Sequence, residues 1–155
     1  MAILDDLSAA IGAEYVVLGD DRAKWRVDWT GDYTIDPLAV LRPANANEVS
    51  AILKIANAHK TPIIPVSGNT GLTGATSNAG GLMLSLDRMN KIRNLDADAR
   101  SVVVESGVIL SAIHDISDQH DLIFPLTFGA RGTAMIGGAL STNAGGSNVL
   151  RYGNT

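Results

Sequence analysis

Two segments rich in glycine and small polar residues constrain this chain more than any other feature. The first, residues 67–80, directly follows an apolar run at 62–66, and the second extends from residue 125 to residue 146. Glycine permits positive φ angles and close approach of the backbone to a ligand or a neighbouring element. Sixteen glycines in 155 residues exceed the average share of about 7%. We therefore expect two tight, exposed backbone segments mounted on regular elements.

The regular elements before the first glycine segment follow a simple pattern. Helical spacing predicts a helix over residues 3–11 that stops at Gly12, and residues 13–36 are irregular, with Trp25 and Trp29 as packing anchors. Residues 37–41 and 62–66 are typical of buried strands. Between them, Asn45 and Glu48 resemble a capping box that opens a helix ending near residue 60. A strand, a helix and a strand in succession predict a parallel pair.

Elements after the first segment are shorter. Strands are expected at 81–86, 102–105 and 122–124, and an amphipathic helix at 108–119. A short helix inside the second glycine segment would have one face with almost no side chains. The sequence therefore predicts a mixture of helices and strands.

Composition excludes several classes of function. The net charge is −4 with no basic run, which argues against a nucleic-acid surface or a polybasic membrane anchor. The chain has no cysteine, so disulfides, zinc–thiolate sites and cysteine nucleophiles are excluded. No apolar stretch approaches the length of about 18 residues that a membrane span needs. We expect a cytoplasmic protein, free or held at the membrane periphery.

The first glycine segment has the chemistry of an anion cradle. It reads PVSGNTGLTG, with glycines at 68, 71 and 74 and hydroxyls at 67, 70 and 73. Successive backbone N–H groups in such a loop can form an anion-binding nest. The loop has no lysine and is not GxGxxG, so neither the Walker A nor the nicotinamide-type fingerprint fits. A backbone cradle for a diphosphate remains, and the alternative is a plain structural loop.

The second glycine segment, FGARGTAMIGGALSTNAGG, pairs glycines on either side of a short apolar stretch. Its backbone could pack directly against a flat or extended ligand. The alternative is close packing between a helix and a strand, which also selects glycine.

Together these segments, Leu41-Arg42-Pro43 and a final RYG resemble the FAD-binding domain of the vanillyl-alcohol-oxidase (para-cresol methylhydroxylase, PCMH) flavoprotein superfamily. The nearest branch is the D-2-hydroxy-acid dehydrogenases: D-lactate dehydrogenase, D-2-hydroxyglutarate dehydrogenase and the FAD subunit of glycolate oxidase. The resemblance implies an α+β fold, the N-terminal portion of a PCMH-type domain, with a βαβ lobe followed by a second α/β lobe. Residues 1–36 would be a helix and an irregular lead-in, and residues 37–155 an incomplete FAD-binding domain without the substrate (cap) domain.

The resemblance also implies cofactor contacts. The family's first loop wraps the FAD pyrophosphate and corresponds to Pro65, Ser67, Gly68, Asn69, Thr70, Gly71 and Leu72. The second segment lines the flavin and the rest of the dinucleotide and corresponds to Pro125, Gly132, Thr133, Ile136, Gly137, Gly138, Thr142, Asn143, Gly145 and Gly146. Ser67 and Ala75 stand where relatives often have glycine. The first loop has no histidine, so FAD is expected to bind noncovalently.

The implied activity is oxidation of a D-2-hydroxy acid to the 2-oxo acid by hydride transfer to FAD. Electrons would pass to a quinone, a cytochrome or an electron-transfer flavoprotein. No catalytic or metal residue can be assigned within this chain, which is expected to be inactive by itself. Two alternatives stay open: another flavoenzyme of the same fold (a sugar-lactone oxidase or an alkylglycerone-phosphate synthase), or a non-catalytic piece that does not hold FAD. Homo-oligomerisation is also left open, and nucleic acid is not an expected partner.

Overall fold

The computed structural model describes residues 2–77 and 79–155. It contains two units, the first ending at Arg88 and the second running from Met89 to Thr155. In the first unit, helix α1 (Ala2–Ile11) buries Ile3, Leu7 and Ile11 on one face. Gly12 ends it with a φ of 90°, and its N–H donates to the Ser8 carbonyl at 2.9 Å, which confirms the predicted stop.

The first unit is built on a four-stranded sheet in the order β1-β2-β4-β3. The strands are β1 (Val16–Val17), β2 (Ala39–Leu41), β3 (Ile63–Val66) and β4 (Leu82–Ser85). β2 and β3 both run parallel to β4, and β1 runs antiparallel to β2. The parallel direction predicted for β2 and β3 is confirmed, but their direct pairing is wrong. β4, whose residues are all buried, takes the central position between them.

Helix α2 (Ala46–Ala58) connects β2 to β3 and begins as the capping pattern predicts. The Asn45 side chain accepts a hydrogen bond from the Glu48 N–H at 3.0 Å. The Glu48 carboxylate reaches back to the Ala44 N–H at 2.8 Å, one residue earlier than in the usual reciprocal pair. Ile52 and Ala56 bury the inner face of α2 in a core shared with α1 and the sheet.

Residues 13–36 are more ordered than the sequence suggests. Two 3₁₀ helices, Ala13–Tyr15 and Gly19–Trp25, flank β1, and Val27 pairs with Thr34 in an isolated antiparallel bridge. Trp25 is buried, as predicted. Trp29 is 65% exposed, so its predicted role as a packing anchor is wrong.

The second unit has a two-stranded antiparallel sheet, β5 (Ile92–Asp96) with β6 (Ser101–Val104). Three helices follow: α3 (Leu110–Asp118), α4 (Ile136–Ser141) and α5 (Val149–Tyr152). The core contains Val108, Leu110, Ile113, Leu126, Ile136 and Ala139.

Two predictions for the second unit need correction. β5 was not predicted from the sequence. Its residues are all exposed or only partly buried, so apolar and polar side chains do not alternate clearly along it. The strand predicted at 122–124 is irregular, because no described strand pairs with it and the Leu122 N–H instead donates to the Ser117 carbonyl at 3.0 Å. Each unit still combines helix and strand, which confirms the predicted α+β fold. Among the described helices, none has the length and apolar character needed to cross a membrane.

Candidate functional site

The first glycine segment leaves β3 as an irregular loop with unsatisfied backbone donors. Within the described part of the chain, the N–H groups of Gly68 to Thr73 donate to no protein acceptor. At Ser77 the backbone closes a turn by donating to the Gly74 carbonyl at 2.9 Å. A run of unpaired N–H groups can bind an anion, so the loop has the donors that the sequence predicts.

Two side chains anchor this loop. The Asn69 amide donates to the Val27 carbonyl at 3.0 Å and accepts from the Thr76 hydroxyl at 2.8 Å. Asn69 itself adopts a left-handed conformation, with a φ of 51°. The loop is therefore held by side-chain bonds, and its own backbone donors stay available.

The glycines of the first loop have different reasons to be glycine. A Cβ at Gly71 would meet nothing within 4 Å. A Cβ at Gly74, where φ is 66°, would lie 2.7 Å from the Tyr33 ring. Packing and backbone conformation thus account for Gly74, whereas none of the described residues comes close enough to require glycine at position 71. The open space at Gly71 leaves room for a ligand to approach the backbone.

The other predicted first-loop residues lie where a ligand could reach them. Pro65 is an exposed residue of β3, and Leu72 is 65% exposed. Ser67, Gly68 and Thr70 are half-buried. The loop has no lysine or arginine, so a bound diphosphate would be held by backbone dipoles.

The second glycine segment forms a turn over residues 129–133 followed by α4. Gly132 and Thr133 are exposed, and a Cβ at Gly132 would meet nothing within 4 Å. Gly137 packs directly on Ser106, where a Cβ would lie 2.7 Å from the serine Cβ and 2.8 Å from its carbonyl oxygen. The predicted short helix is confirmed as α4, and its Gly137 is used for internal packing.

The end of the second segment is shaped by backbone constraints. Gly146 has a φ of 122°, and a Cβ there would lie 2.5 Å from the Thr127 carbonyl oxygen. The Thr142 hydroxyl donates back to the Gly138 carbonyl at 2.9 Å, and the Pro125 carbonyl accepts from the Asn148 amide at 3.0 Å. Asn143 is exposed with a φ of 51°, Ile136 is buried, and Gly145 is half-buried. Ile136, Gly137 and Gly146 thus have structural roles that need no ligand.

The predicted site residues fall into two groups. Residues from Pro65 to Leu72 belong to the first unit, and residues from Pro125 to Gly146 belong to the second. Each group comes from one continuous stretch of sequence.

One buried carboxylate, Asp28, was not predicted from the sequence. It directly follows Val27, whose carbonyl accepts the hydrogen bond from Asn69 of the first loop. Asp28 accepts from the Thr30 hydroxyl at 2.6 Å, the Thr30 N–H at 3.1 Å and the Tyr33 N–H at 3.0 Å. The hydroxyl bond, followed by the backbone bonds, lowers the pKa of Asp28 below its ordinary 3.8. The spacing Asp-x-Thr is the signal that could have predicted this turn.

Two further carboxylates accept hydrogen bonds from charged side chains, and one of them also accepts from a backbone N–H. The Lys91 N–H and the Arg93 guanidinium, each 3.0 Å away, lower the pKa of the buried Glu105. Burial raises the pKa of Asp87, but hydrogen bonds and charge from Arg42 and Lys24 outweigh burial and lower it overall. Each of these carboxylates lies in the same unit as its donors. Among residues 2–77 and 79–155, no cluster of histidine and carboxylate side chains could hold a metal ion.

Comparison with known proteins identifies the family. Residues 37–155 match the family described as the FAD binding domain. D-2-hydroxyglutarate dehydrogenase from Xanthomonas citri pv. viticola is 43% identical over 129 residues, which cover 83% of this chain and 27% of that protein. D-lactate dehydrogenase from Archaeoglobus fulgidus is 43% identical over 115 residues, which cover 74% of this chain and 26% of that protein. The chain thus spans about a quarter of the length of these relatives.

Solved structures agree on the fold. An alkyldihydroxyacetonephosphate synthase superposes with a TM-score of 0.85 over 99% of this chain and 34% of its own, and its 16% identity supports the fold alone. p-Cresol methylhydroxylase superposes with a TM-score of 0.70 and 25% identity, over 85% of this chain and 27% of its own.

The residues present fit the cofactor of this family. Unpaired N–H groups from Gly68 to Thr73 can hold a diphosphate, and the open space at Gly71 and Gly132 leaves room for a ligand against the backbone. The chain therefore belongs to the family of FAD-binding domains found in the PCMH and vanillyl-alcohol-oxidase flavoproteins, and FAD is its cofactor.

Proposed function

We propose that this chain is the FAD-binding portion of an enzyme that oxidises a D-2-hydroxy acid, of the lactate, glycolate or 2-hydroxyglutarate type, to the 2-oxo acid. The first loop is the observation that carries the proposal. Its residues Gly68 to Thr73 have unpaired backbone N–H groups, and there is open space where a Cβ of residue 71 would lie. The substrate class follows from the relatives named D-2-hydroxyglutarate dehydrogenase and D-lactate dehydrogenase.

The contacts proposed for FAD follow the two segments. The first loop would hold the diphosphate through its backbone N–H groups, and the second segment would line the flavin and the rest of the dinucleotide. The proposed residues are Pro65, Ser67, Gly68, Asn69, Thr70, Gly71 and Leu72 in the first unit, and Pro125, Gly132, Thr133, Ile136, Gly137, Gly138, Thr142, Asn143, Gly145 and Gly146 in the second. Binding is proposed to be noncovalent, because the first loop contains no histidine.

Bound FAD supplies the redox chemistry, by accepting a hydride from a carbon that bears a hydroxyl group. The residues of this chain bind and orient the cofactor. Neutral backbone donors suit that task, because they compensate the diphosphate charge without placing a titratable group beside it. Residues that bind the hydroxy acid are proposed to lie in the cap domain of the whole enzyme.

We propose that residues 37–155 belong to the FAD-binding domain and that residues 1–36 form a lead-in to it. We also propose that the enzyme is cytoplasmic, either free or peripheral to the membrane. A quinone, a cytochrome or an electron-transfer flavoprotein would accept its electrons.

Titration of the purified chain with FAD tests the proposal. The visible spectrum of FAD and calorimetry both measure the binding. We expect binding in the wild type and at least about tenfold weaker binding in Gly71→Leu, the equivalent of about 1.4 kcal/mol. A Cβ at position 71 meets no described atom within 4 Å, so we expect the leucine to obstruct a ligand at the backbone rather than the fold, which a circular dichroism spectrum of the variant checks. Ala97→Leu adds a comparable group to the exposed turn between β5 and β6 and should leave the affinity unchanged.

The results separate the proposal from the alternative of a piece that does not hold FAD. Absence of binding in the folded wild-type chain would favour that alternative. Binding that is equally strong in Gly71→Leu would place the cofactor away from the first loop.

A further inference from the structure

The side chain of Asn69 is occupied within the protein. Its Nδ2 lies 3.0 Å from the Val27 carbonyl oxygen and its Oδ1 lies 2.8 Å from the Thr76 hydroxyl. The partners fix the orientation of the amide, because the Val27 carbonyl can only accept and so must face the NH₂ group. Asn69 therefore bridges the start of the loop to its end and to a segment far away in sequence.

The segment that receives this bridge is itself tightly constrained. Val27 forms an antiparallel bridge with Thr34, and the Ile35 N–H donates to the Arg26 carbonyl at 3.1 Å. Inside this small hairpin, Asp28 accepts bonds from the Thr30 hydroxyl and N–H and from the Tyr33 N–H. The Val27 carbonyl is thus presented from a fixed turn that lies outside the matched family region, 37–155.

A second contact joins the same hairpin to the loop. Tyr33 packs its ring against Gly74, at a distance that leaves no room for a Cβ. Asn69 and Gly74 are thus both held by residues 27–33, one by a hydrogen bond and the other by packing. The unpaired N–H groups of Gly68 to Thr73 lie almost entirely between these two points.

We propose that Asn69 is a positioning residue whose side chain, bonded to Val27 and Thr76, holds the first loop in the conformation that binds the FAD diphosphate. The proposal rests on the proposed function, in which this loop holds that diphosphate. An untethered loop would have to be ordered when FAD binds, and the ordering would weaken affinity. The hairpin at residues 26–35 would thereby contribute to cofactor affinity through Asn69.

The test uses variants at both ends of the bond between Asn69 and Thr76. Thr76→Val keeps the shape of the side chain and removes the hydroxyl, whereas Thr76→Ser keeps the hydroxyl and serves as the matched control. Asn69→Gly tolerates the left-handed φ and removes both side-chain bonds. The double variant asks whether the two residues act as one unit.

The first readout needs no FAD. Nitrogen-15 relaxation of the loop amides should give order parameters near 0.85 in the wild type and in Thr76→Ser, and below about 0.6 in Thr76→Val and Asn69→Gly. Strand β3 should stay rigid in all four proteins. Unchanged order parameters across Gly68 to Thr73 in both disrupting variants would overturn the proposal, whether or not FAD binds.

The second readout is FAD affinity. We expect Thr76→Val to weaken binding about tenfold, Thr76→Ser to restore it, and Thr76→Val to add nothing in the Asn69→Gly background. Tight binding in the disrupting variants would overturn the proposal. The proposal would also be overturned if the affinity losses of Thr76→Val and Asn69→Gly added fully in the double variant. Asn69 would then act by direct contact and not through its bond to Thr76. A wild type with an ordered loop that binds no FAD would contradict the proposed function, and the relaxation data would still decide whether Asn69 tethers the loop.

Discussion

At the scale of single residues, identical glycines serve different purposes that only their surroundings distinguish. Gly71 and Gly74 lie three positions apart in one motif, yet a Cβ has open space at the first and meets the Tyr33 ring at 2.7 Å at the second. Gly74 also has a φ of 66°, which an alanine adopts only with strain.

This difference predicts opposite outcomes for the same substitution. Gly74→Ala should lower the free energy of unfolding by about 1–2 kcal/mol, because alanine is strained at this φ and the exposed Tyr33 ring must also shift. Gly71→Ala should leave it unchanged or raise it by up to about 1 kcal/mol, because alanine restricts the unfolded chain. Urea denaturation of the two variants without FAD measures both. Equal loss of stability in the two would show that Gly71 also has a structural role.

The sequence could predict that the first loop is rich in unusual backbone conformations, but it could not predict which glycine serves which purpose. The hydrogen bond of Asn69 spans 42 positions to Val27, and nothing local indicates such a partner. Asp28 was missed for a different reason. Its Asp-x-Thr turn is a local signal, hidden within a stretch that otherwise looks irregular.

At the scale of elements, prediction succeeds where the determining contacts are local. The capping pattern at Asn45 and the stop at Gly12 define α2 and α1 because the bonding partners lie within four residues. Strands depend on partners elsewhere in the chain. The order β2-β4-β3 and the absence of a strand at 122–124 therefore did not follow from local pattern.

Helix α4 offers a prediction at this scale, because helix propensity and packing oppose each other at Gly137. Alanine favours a helix over glycine by about 1 kcal/mol. The added Cβ would lie 2.8 Å from the Ser106 carbonyl oxygen, which accepts the Gly137 N–H and so cannot move without losing that bond. Overpacking costs about 1–3 kcal/mol, so Gly137→Ala should destabilise the chain overall.

Gly132→Ala is the matched control for this prediction, since a Cβ there has open space. We expect its free energy of unfolding to stay within about 1 kcal/mol of the wild type. Thermal and urea unfolding of the two variants measure the difference. A more stable Gly137→Ala would mean that α4 can shift away from Ser106, and the tight contact would then not explain the glycine.

At the scale of the whole molecule, the chain carries two glycine segments and, within its two units, three carboxylates that accept hydrogen bonds. The resemblance of its motifs to a known flavoprotein family predicted the α+β class and the cofactor. The sequence could not predict that Asp87 and Glu105 would become hydrogen-bonded acceptors, because folding brings Arg42 to Asp87 and Arg93 to Glu105.

These carboxylates make stability depend on pH in a defined direction. Each has a pKa that is lower in the folded chain than its ordinary value, which is 3.8 for Asp28 and Asp87 and 4.5 for Glu105. The unfolded chain therefore binds protons first as the pH falls. The stabilisation is complete above the unfolded pKa values and is lost progressively from about pH 5 downward, toward the folded values.

Asp28 provides the sharpest test of this linkage, because both tryptophans lie within four residues of it and report its surroundings by fluorescence. Asp28→Asn loses acceptor capacity toward Thr30 and Tyr33, so its urea midpoint should fall below that of the wild type at pH 7. The difference in urea midpoint between wild type and variant should narrow steadily between pH 5 and pH 3, because the wild-type carboxylate becomes protonated in this range. Asp20→Asn, at an exposed position in the same unit, should follow the wild-type curve throughout. A gap for Asp28→Asn that stays constant down to pH 3 would show that the ionised carboxylate contributes nothing to the acid sensitivity of the fold.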